Sequence, residues 1–434
     1  MLPHVEARPE QSDPQQAGGP AAPARGWRRR GYSIASMRDL ARAVLPRPIF
    51  DFADGGAEDE VTLRRNEGGF DKIELLPRPL RGAARRDLST ELFGLRLRLP
   101  VLIGPTGLAG LFWPDGECAA ARAASAAGAA FCLSHGSVCT IEALAATGAA
   151  PRFMQVFIYR DRGFTRALAD RAAAAGYDAL VLTIDNQLLG NRERDLRNGF
   201  AIPPRFAARD LAGMSTKLPW LLRMRQALPR ITFGNYVRPG ETADLRTLAG
   251  RMAELLDPAM SWDDVAVLRR QWRGPLLLKG VLHPDDATEA IAQGVDAVIV
   301  SNHGGRQLDG AAASIDALPA VAEAVAGRIP VLLDGGVRRG VDVVRALALG
   351  ARACLIGRPV LWGLAVAGEA GVAHVLDIYR REIDRTMGLC GVVSVDGIGA
   401  DLLRRPAAAG RWRGGAREAI EPLGTAPIRA RSGG

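Results

Sequence analysis

The stretch Ser301-Asn302-His303-Gly304-Gly305-Arg306-Gln307-Leu308-Asp309 follows the apolar run 297–300, AVIV, which reads as a buried strand. At one strand end His303 is suited to take a proton while Arg306 grips an anion beside it. Oxidation of a 2-hydroxy acid at C2 requires that pair. Asp185 closes the run ALVLTID (179–185), where it can pair with His303 and stabilise the imidazolium form. Seven residues on, GNRERDLRN supplies Arg192, whose planar guanidinium suits bidentate binding of a carboxylate, with Arg194 reading as a solvated or helix-capping charge. Lys279 ends LLLKG and is costly near a core unless it meets an anion, so a reduced cofactor ring, Schiff-base chemistry and a plain salt bridge all stay open. The turns DGGVRRG (334–340) and IGRP (356–359) suit a phosphate, with the amides of Gly336 and Gly357 and the side chain of Arg358 as a cradle, and Asp334 and Arg338 beside it. Of the five histidines, at 4, 135, 283, 303 and 374, His303 alone is placed on a strand end within a polar constellation.

These residues need strands that converge. Eight short apolar runs alternate with alanine-rich helical stretches: 100–106, 130–134, 152–157, 179–185, 275–280, 297–304, 330–336 and 353–359. That pattern predicts an α/β TIM (β/α)8 barrel rather than a doubly wound sheet, and no G-x-G-x-x-G follows the first run. In a TIM barrel the C-terminal strand ends share one mouth, which selects the polar residues named above.

Residues 1–31 and 404–434 read as disordered leader and basic tail around a barrel domain at 32–403. The net charge is +9, but 1–31, 200–239 and 404–434 contribute +2, +6 and +5, which leaves the body at −4. The positive charge therefore belongs to tails and an insert, which argues against nucleic-acid binding. Five scattered cysteines without a CxxC spacing argue for a reducing compartment and against a metal. No apolar run reaches the ~18 residues that a bilayer crossing needs, and no secretory signal is present. The expectation is a cytoplasmic protein. Between the fourth and fifth runs lies an insert at 200–260, including KLPWLLRMRQALPRITFGNY (217–236). Its basic residues interleave with Trp220, Leu221, Leu222, Met224 and Phe233, so it reads either as a surface for anionic lipid, on the cytoplasmic face of the inner membrane, or as a lid packed on its own barrel.

The stretch 301–309 closely resembles the active-site signature of the FMN-dependent α-hydroxy-acid oxidases and dehydrogenases. The resemblance runs from about 32 to 400 through FDFADGGAEDE, IGPTGL, YRDRGF, RERDLRN, DGGVRRGVDVVRALALGA and IGRP. PTG, SVC and the long insert with FGN look most like the membrane-associated L-lactate and mandelate dehydrogenases. The resemblance implies FMN as cofactor, an L-2-hydroxy acid as substrate, a quinone or other respiratory acceptor, and a homotetramer. It implies His303 as base with Asp185 as partner, Arg192 and Arg306 as carboxylate clamp, and Lys279 against the flavin N1 and O2. Isoalloxazine contacts carried over by matching are Pro105, Thr106, Ser134, Gln155, Thr183 and Ser301. Two departures stand out: Phe52 and Phe157 occupy positions where the family has tyrosines that touch substrate. Each lost hydrogen bond to a charged group costs roughly 1.5 to 3 kcal/mol. Gly136 stands where small-substrate oxidases carry a bulky residue, which suggests a roomier pocket. The alternatives are oxidation of an amine or peptide-derived substrate, oxygen as acceptor, and a flavin-binding protein without turnover.

Overall fold

Apolar runs of three to six residues, buried on both faces, form parallel strands when helices cover the sheet. The computed structural model describes residues 26–199, 217–236 and 255–404. A hairpin of β1 (Thr90–Leu92) and β2 (Leu95–Leu97) precedes the barrel strands. These are β3 (Val101–Ile103), β4 (Phe131–Leu133), β5 (Arg152–Val156), β6 (Ala179–Thr183), β7 (Leu276–Val281), β8 (Ala297–Val300), β9 (Val331–Asp334) and β10 (Ala353–Ile356). Each of the eight expected runs supplies one strand. Every strand pairs in parallel with its successor, and β10 returns to β3 through Cys354–Val101, Leu355–Leu102 and Ile356–Ile103, closing the barrel.

Strand side chains alternate between faces, so one parity fills the barrel and the other meets the helices. Leu102, Cys132, Phe153, Val181, Leu277, Ile299, Leu332 and Leu355 form one buried cluster, while Val101, Leu133, Met154, Leu182, Leu278, Val300, Leu333 and Cys354 belong to a second. The hairpin leucines Leu92 and Leu97 join the first cluster and plug the N-terminal end of the barrel. Continued by two residues at the other end, the inner parity reaches Ser134, Gln155, Thr183, Lys279, Ser301 and Asp334. A single alternation therefore builds the core below and presents the polar residues above.

The expected disorder of 1–25 and 405–434, and the insert residues 200–216 and 237–254, lie outside the described residues. The described residues begin at 26, within the segment 1–31. A helical turn at Trp27–Arg30 buries Trp27, whose ring meets His374 edge-on at 5.2 Å, while His374 Nε2 bonds Gly31 O at 2.7 Å. The helix Arg358–Cys390 is long and apolar enough to cross a membrane, which the reading of short apolar runs missed. It is mostly buried against the barrel, however, and it breaks at Ala367 and Gly368, where a Cβ on Gly368 would strike the Trp113 indole at 2.4 Å. It is a core helix.

The described part of the insert corrects the lipid-facing set. Trp220 and Met224 are fully buried, Phe233 is nearly so, and Trp220 Nε1 donates to Leu111 O at 3.2 Å. Arg223 stacks on Trp113 at 4.2 Å and donates to Ala365 O at 3.0 Å, and burial pulls its pKa down to about 10. Further on, Gly234 N donates to Ser137 O at 3.0 Å and Asn235 Oδ1 accepts from Ile141 N at 2.9 Å, which staples the insert to the loop after β4. A side chain at Gly234 would meet Val138 O at 2.4 Å. Leu218 and Leu222 alone among its described large apolar residues stay about half exposed. Replacing Trp220 by Ala should therefore cost about 3–5 kcal/mol in urea unfolding of the isolated protein. A near-neutral result would mean that this face packs on something other than its own barrel.

Candidate active site

His303 sits in a left-handed turn, with φ of 59°, 65° and 71° at His303, Gly304 and Gly305. Two successive glycines permit that course, and the second is also required by contact, because a Cβ on Gly305 would lie 2.6 Å from Leu63 N. The turn is held by amide pairing. Asn302 and Asn66 exchange two side-chain hydrogen bonds of 2.8 Å, and Asn302 Oδ1 also accepts from Gly305 N at 3.1 Å. Gln307 Nε2 donates to the carbonyls of Asp185 and Leu188 and to Asn186 Oδ1, at 2.7 to 2.9 Å, tying the β6 and β8 loops together. Asp309 accepts from Val61 N and Thr62 N and so caps the helix Val61–Gly68 from a distance in sequence.

The result is a 2.8 Å contact between His303 Nδ1 and Asp185 Oδ1. It fixes Nδ1 as the protonated nitrogen and leaves Nε2 as the basic one. A bulge in β7 makes room for the carboxylate: Gly280 has φ 109°, and its Cβ would stand 3.0 Å from the Asp185 side chain. Burial pulls the His303 pKa below its ordinary value. Asp185 opposes that pull, and the cations Lys279 and Arg192 add to it. The imidazole is therefore neutral, ready to accept a proton that Asp185 then stabilises.

Beside the histidine, cations outnumber their partners. Arg306 donates to Gly55 O at 2.8 Å, and its guanidinium lies 5.4 Å from the centroid of the Phe52 ring. Arg192 has no ion pair among the described residues, and its Nε is buried without a hydrogen-bond partner. Burial pulls the Arg306 pKa well down, and Arg192 and Arg358 push in the same direction. Arginine keeps its proton in proteins, so this pull expresses the cost of three cations held close together and partly desolvated. An incoming carboxylate relieves that cost. Arg194, by contrast, is consumed by structure, pairing with Glu60 at 2.5 Å and Asp54 at 3.4 Å.

Lys279 Nζ bonds Ser301 Oγ and Asp334 Oδ2, both at 2.9 Å, and Ser301 Oγ donates to Asp334 at 2.7 Å. Burial works to lower the lysine pKa, but Asp334 and Asp185 outweigh it and the net shift is upward. The ion pair with Asp334 and the upward shift both favour the cation over the free amine that Schiff-base chemistry needs. Ser134, Gln155 and Thr183 lie on the same inner ring, with Pro105 and Thr106 following β3 next to Gly357. Gln155 Nε2, Thr183 Oγ1 and Asp185 Oδ2 are buried without partners. A flat ring bearing alternating donors and acceptors along one edge, as isoalloxazine does, suits that set.

At the phosphate end the expected residues also bond within the protein. Gly357 caps the N-terminus of the helix Arg358–Cys390, a ready anion site. The Arg358 side chain donates to Ala53 O and Gly55 O at 3.0 and 2.8 Å, beside Arg306. Arg338 pairs with Glu67 at 2.8 Å over the Trp362 ring. Gly336 is a glycine because its Cβ would meet Asn66 O at 1.9 Å. Phe157 is buried with its ring centroid 4.1 Å from that of His135. His135 is the residue that the sequence reading passed over: it follows β4 directly, is buried at the mouth, and bonds Gln155. Applying the strand-end rule to every histidine would have found it.

Comparison with known proteins agrees with this geometry. The family described as FMN-dependent dehydrogenase matches residues 41–405. L-lactate dehydrogenase of Caulobacter vibrioides is 46% identical over 373 residues, covering 86% of this chain and 97% of that protein. L-lactate oxidase of Nostoc sp. is 44% identical over 375 residues, covering 86% and 97%. A solved structure of (S)-mandelate dehydrogenase, described as a monotopic membrane protein, superposes with a TM-score of 0.83 at 38% identity, covering 86% of this chain and 99% of that one. With the base, the unpaired cations and the ring of polar strand ends in one barrel mouth, the chain belongs to the FMN-dependent dehydrogenase family and is an FMN-dependent oxidoreductase acting on the CH–OH group of 2-hydroxy acids.

Proposed function

We propose that this enzyme, as a homotetramer, oxidises an L-2-hydroxy acid of lactate or mandelate type to the 2-oxo acid and passes the electrons to a quinone or similar respiratory carrier. The observation that carries this reading is the His303–Asp185 pair placed beside Arg306 and Arg192, two half-buried guanidinium groups that form no salt bridge among the described residues. Arg306 and Arg192 bind the substrate carboxylate and orient C2. His303 Nε2 accepts the hydroxyl proton, and Asp185 stabilises the imidazolium that forms. FMN held in this mouth would supply the two-electron acceptor for the hydrogen at C2. Lys279 holds positive charge at the ring edge, with Ser134, Gln155, Thr183, Ser301, Pro105 and Thr106 around the ring. Asp334, Gly336, Arg338, Gly357 and Arg358 serve the ribityl phosphate.

Phe52 and Phe157 shape the substrate class. Without their hydroxyls the carboxylate rests on the arginines, and Phe52 instead holds Arg306 by its ring face. That favours an acid with an apolar side chain over a small polar one. The likeness to a monotopic membrane protein supports a peripheral membrane contact, which we place on the cytoplasmic side. So do the half-exposed Leu218 and Leu222 beside Lys217.

Mixing the FMN-loaded protein anaerobically with L-lactate, L-mandelate and longer 2-hydroxy acids should bleach the flavin absorbance, fastest with an apolar acid. His303→Gln should keep FMN yet slow bleaching by roughly 10²- to 10⁴-fold. No bleaching by any acid, with dithionite still reducing the flavin, would assign the site to another substrate such as an amine. The acceptor is tested on the reduced enzyme. A soluble quinone analogue should reoxidise it faster than air-saturated buffer, and the reverse order would make it an oxidase. Light scattering on the same preparation checks the tetramer.

A further inference from the structure

His135 has a role that the reaction scheme does not use. Its backbone N–H, which can only donate, faces Gln155 Oε1 at 3.3 Å, and Ser134 Oγ lies 3.5 Å from the same oxygen. The atom facing these donors is therefore the amide oxygen, not the nitrogen. That oxygen is also 2.8 Å from His135 Nδ1, so Nδ1 carries a proton. Burial pulls the His135 pKa down to about 4, and the charge of a protonated His303 would oppose it further, so the ring is neutral and holds only that one proton. Its Nε2 is then a bare acceptor, buried without a partner, as is the amide nitrogen of Gln155.

We infer that His135 is a positioning residue for the cofactor: as the Nδ1–H tautomer it locks the Gln155 amide by its oxygen, so that the NH2 end is the one offered to the ring. The inference rests on the assignment of Gln155 to the ring in the proposed function. A flipped amide would set its NH2 against the backbone N–H, which can only donate, losing that bond and adding repulsion whichever ring tautomer formed. The imidazole is itself held from three sides. Phe157 lies 4.1 Å away in a tilted stack, and the Tyr159 and Tyr236 rings stand edge-on at 6.1 and 5.8 Å, with their hydroxyls joined at 2.5 Å. Phe157 has no hydroxyl to compete for the amide. Tyr236 comes from the insert, so the insert braces the side chain that sets the donor.

The test compares His135→Phe, which keeps an aromatic ring but loses the donor, with His135→Asn, whose amide nitrogen can stand in for Nδ1. FMN affinity is read by fluorescence quenching and the flavin midpoint potential by dye equilibration. H135F should weaken FMN about tenfold, the cost of one hydrogen bond of ordinary strength. It should also make the potential more negative, because a donor to the ring stabilises the electron-rich reduced form. H135N should restore both, and in a Q155A background H135F should add nothing. Should the phenylalanine ring not fit, His135→Ala carries the same expectations. Wild-type affinity and potential in the donorless variant would overturn the inference, as would an effect that persists in the Q155A background. Unchanged FMN binding in Q155A alone would instead sink the assignment of Gln155 to the ring, and the inference with it.

Discussion

The hydrogen bond from His303 to Asp185 joins the ends of β8 and β6, and most of the mouth is arranged so that it can form. It requires a closed barrel, since β7 lies between the two strands. It requires the β7 bulge at Gly280, without which the carboxylate has no room. It requires a histidine at positive φ, a conformation that costs energy outside glycine and persists only where neighbours over-determine it. The Asn302–Asn66 exchange and the three donations from Gln307 supply that over-determination. The motif at 301–309 is thus both the reactive group and the brace that holds it.

The second constraint is electrostatic. Arg192, Arg306, Arg358 and Lys279 share the mouth with Asp185 and Asp334, and Asp334 is taken by Lys279 and Ser301. Backbone carbonyls at Ala53 and Gly55 and the face of Phe52 partly solvate the arginines, but none of these is an anion. A folded protein tolerates such an excess when ligands complete it, here a carboxylate and a phosphate. Recognition of an anionic substrate and of an anionic cofactor therefore follows from one imbalance. The burial that makes the site receptive to anions also keeps His303 neutral.

The barrel was legible because parallel strands buried on both faces leave short apolar runs, and all eight were found. The strand-end rule selected Lys279, Ser301 and Asp334, the family resemblance supplied Ser134, Gln155 and Thr183, and the inner parity places all six on one ring. Side-chain direction was less legible. Arg358 and Arg338 lie in turns suited to phosphate, yet their guanidiniums reach carbonyls and Glu67 supplied by residues 53–67, nearly three hundred positions away. Trp220, Met224 and Phe233 look like a lipid-facing set only while their partners Leu111 and Gly136 are unseen. His135 is less legible than His303 because no charged motif surrounds it in sequence, although both histidines obey the same positional rule.

Asp185 sets the basicity of His303, which the pH dependence of anaerobic flavin reduction reads out. Only neutral imidazole accepts the proton, so the rate should fall as pH drops through the His303 pKa, with a midpoint below the ordinary histidine value of 6.5. Asp185 raises that pKa, so Asp185→Asn should move the midpoint to still lower pH and slow the plateau by about 100-fold as stabilisation of the imidazolium is lost. An acid limb at the same pH in both proteins would contradict the account.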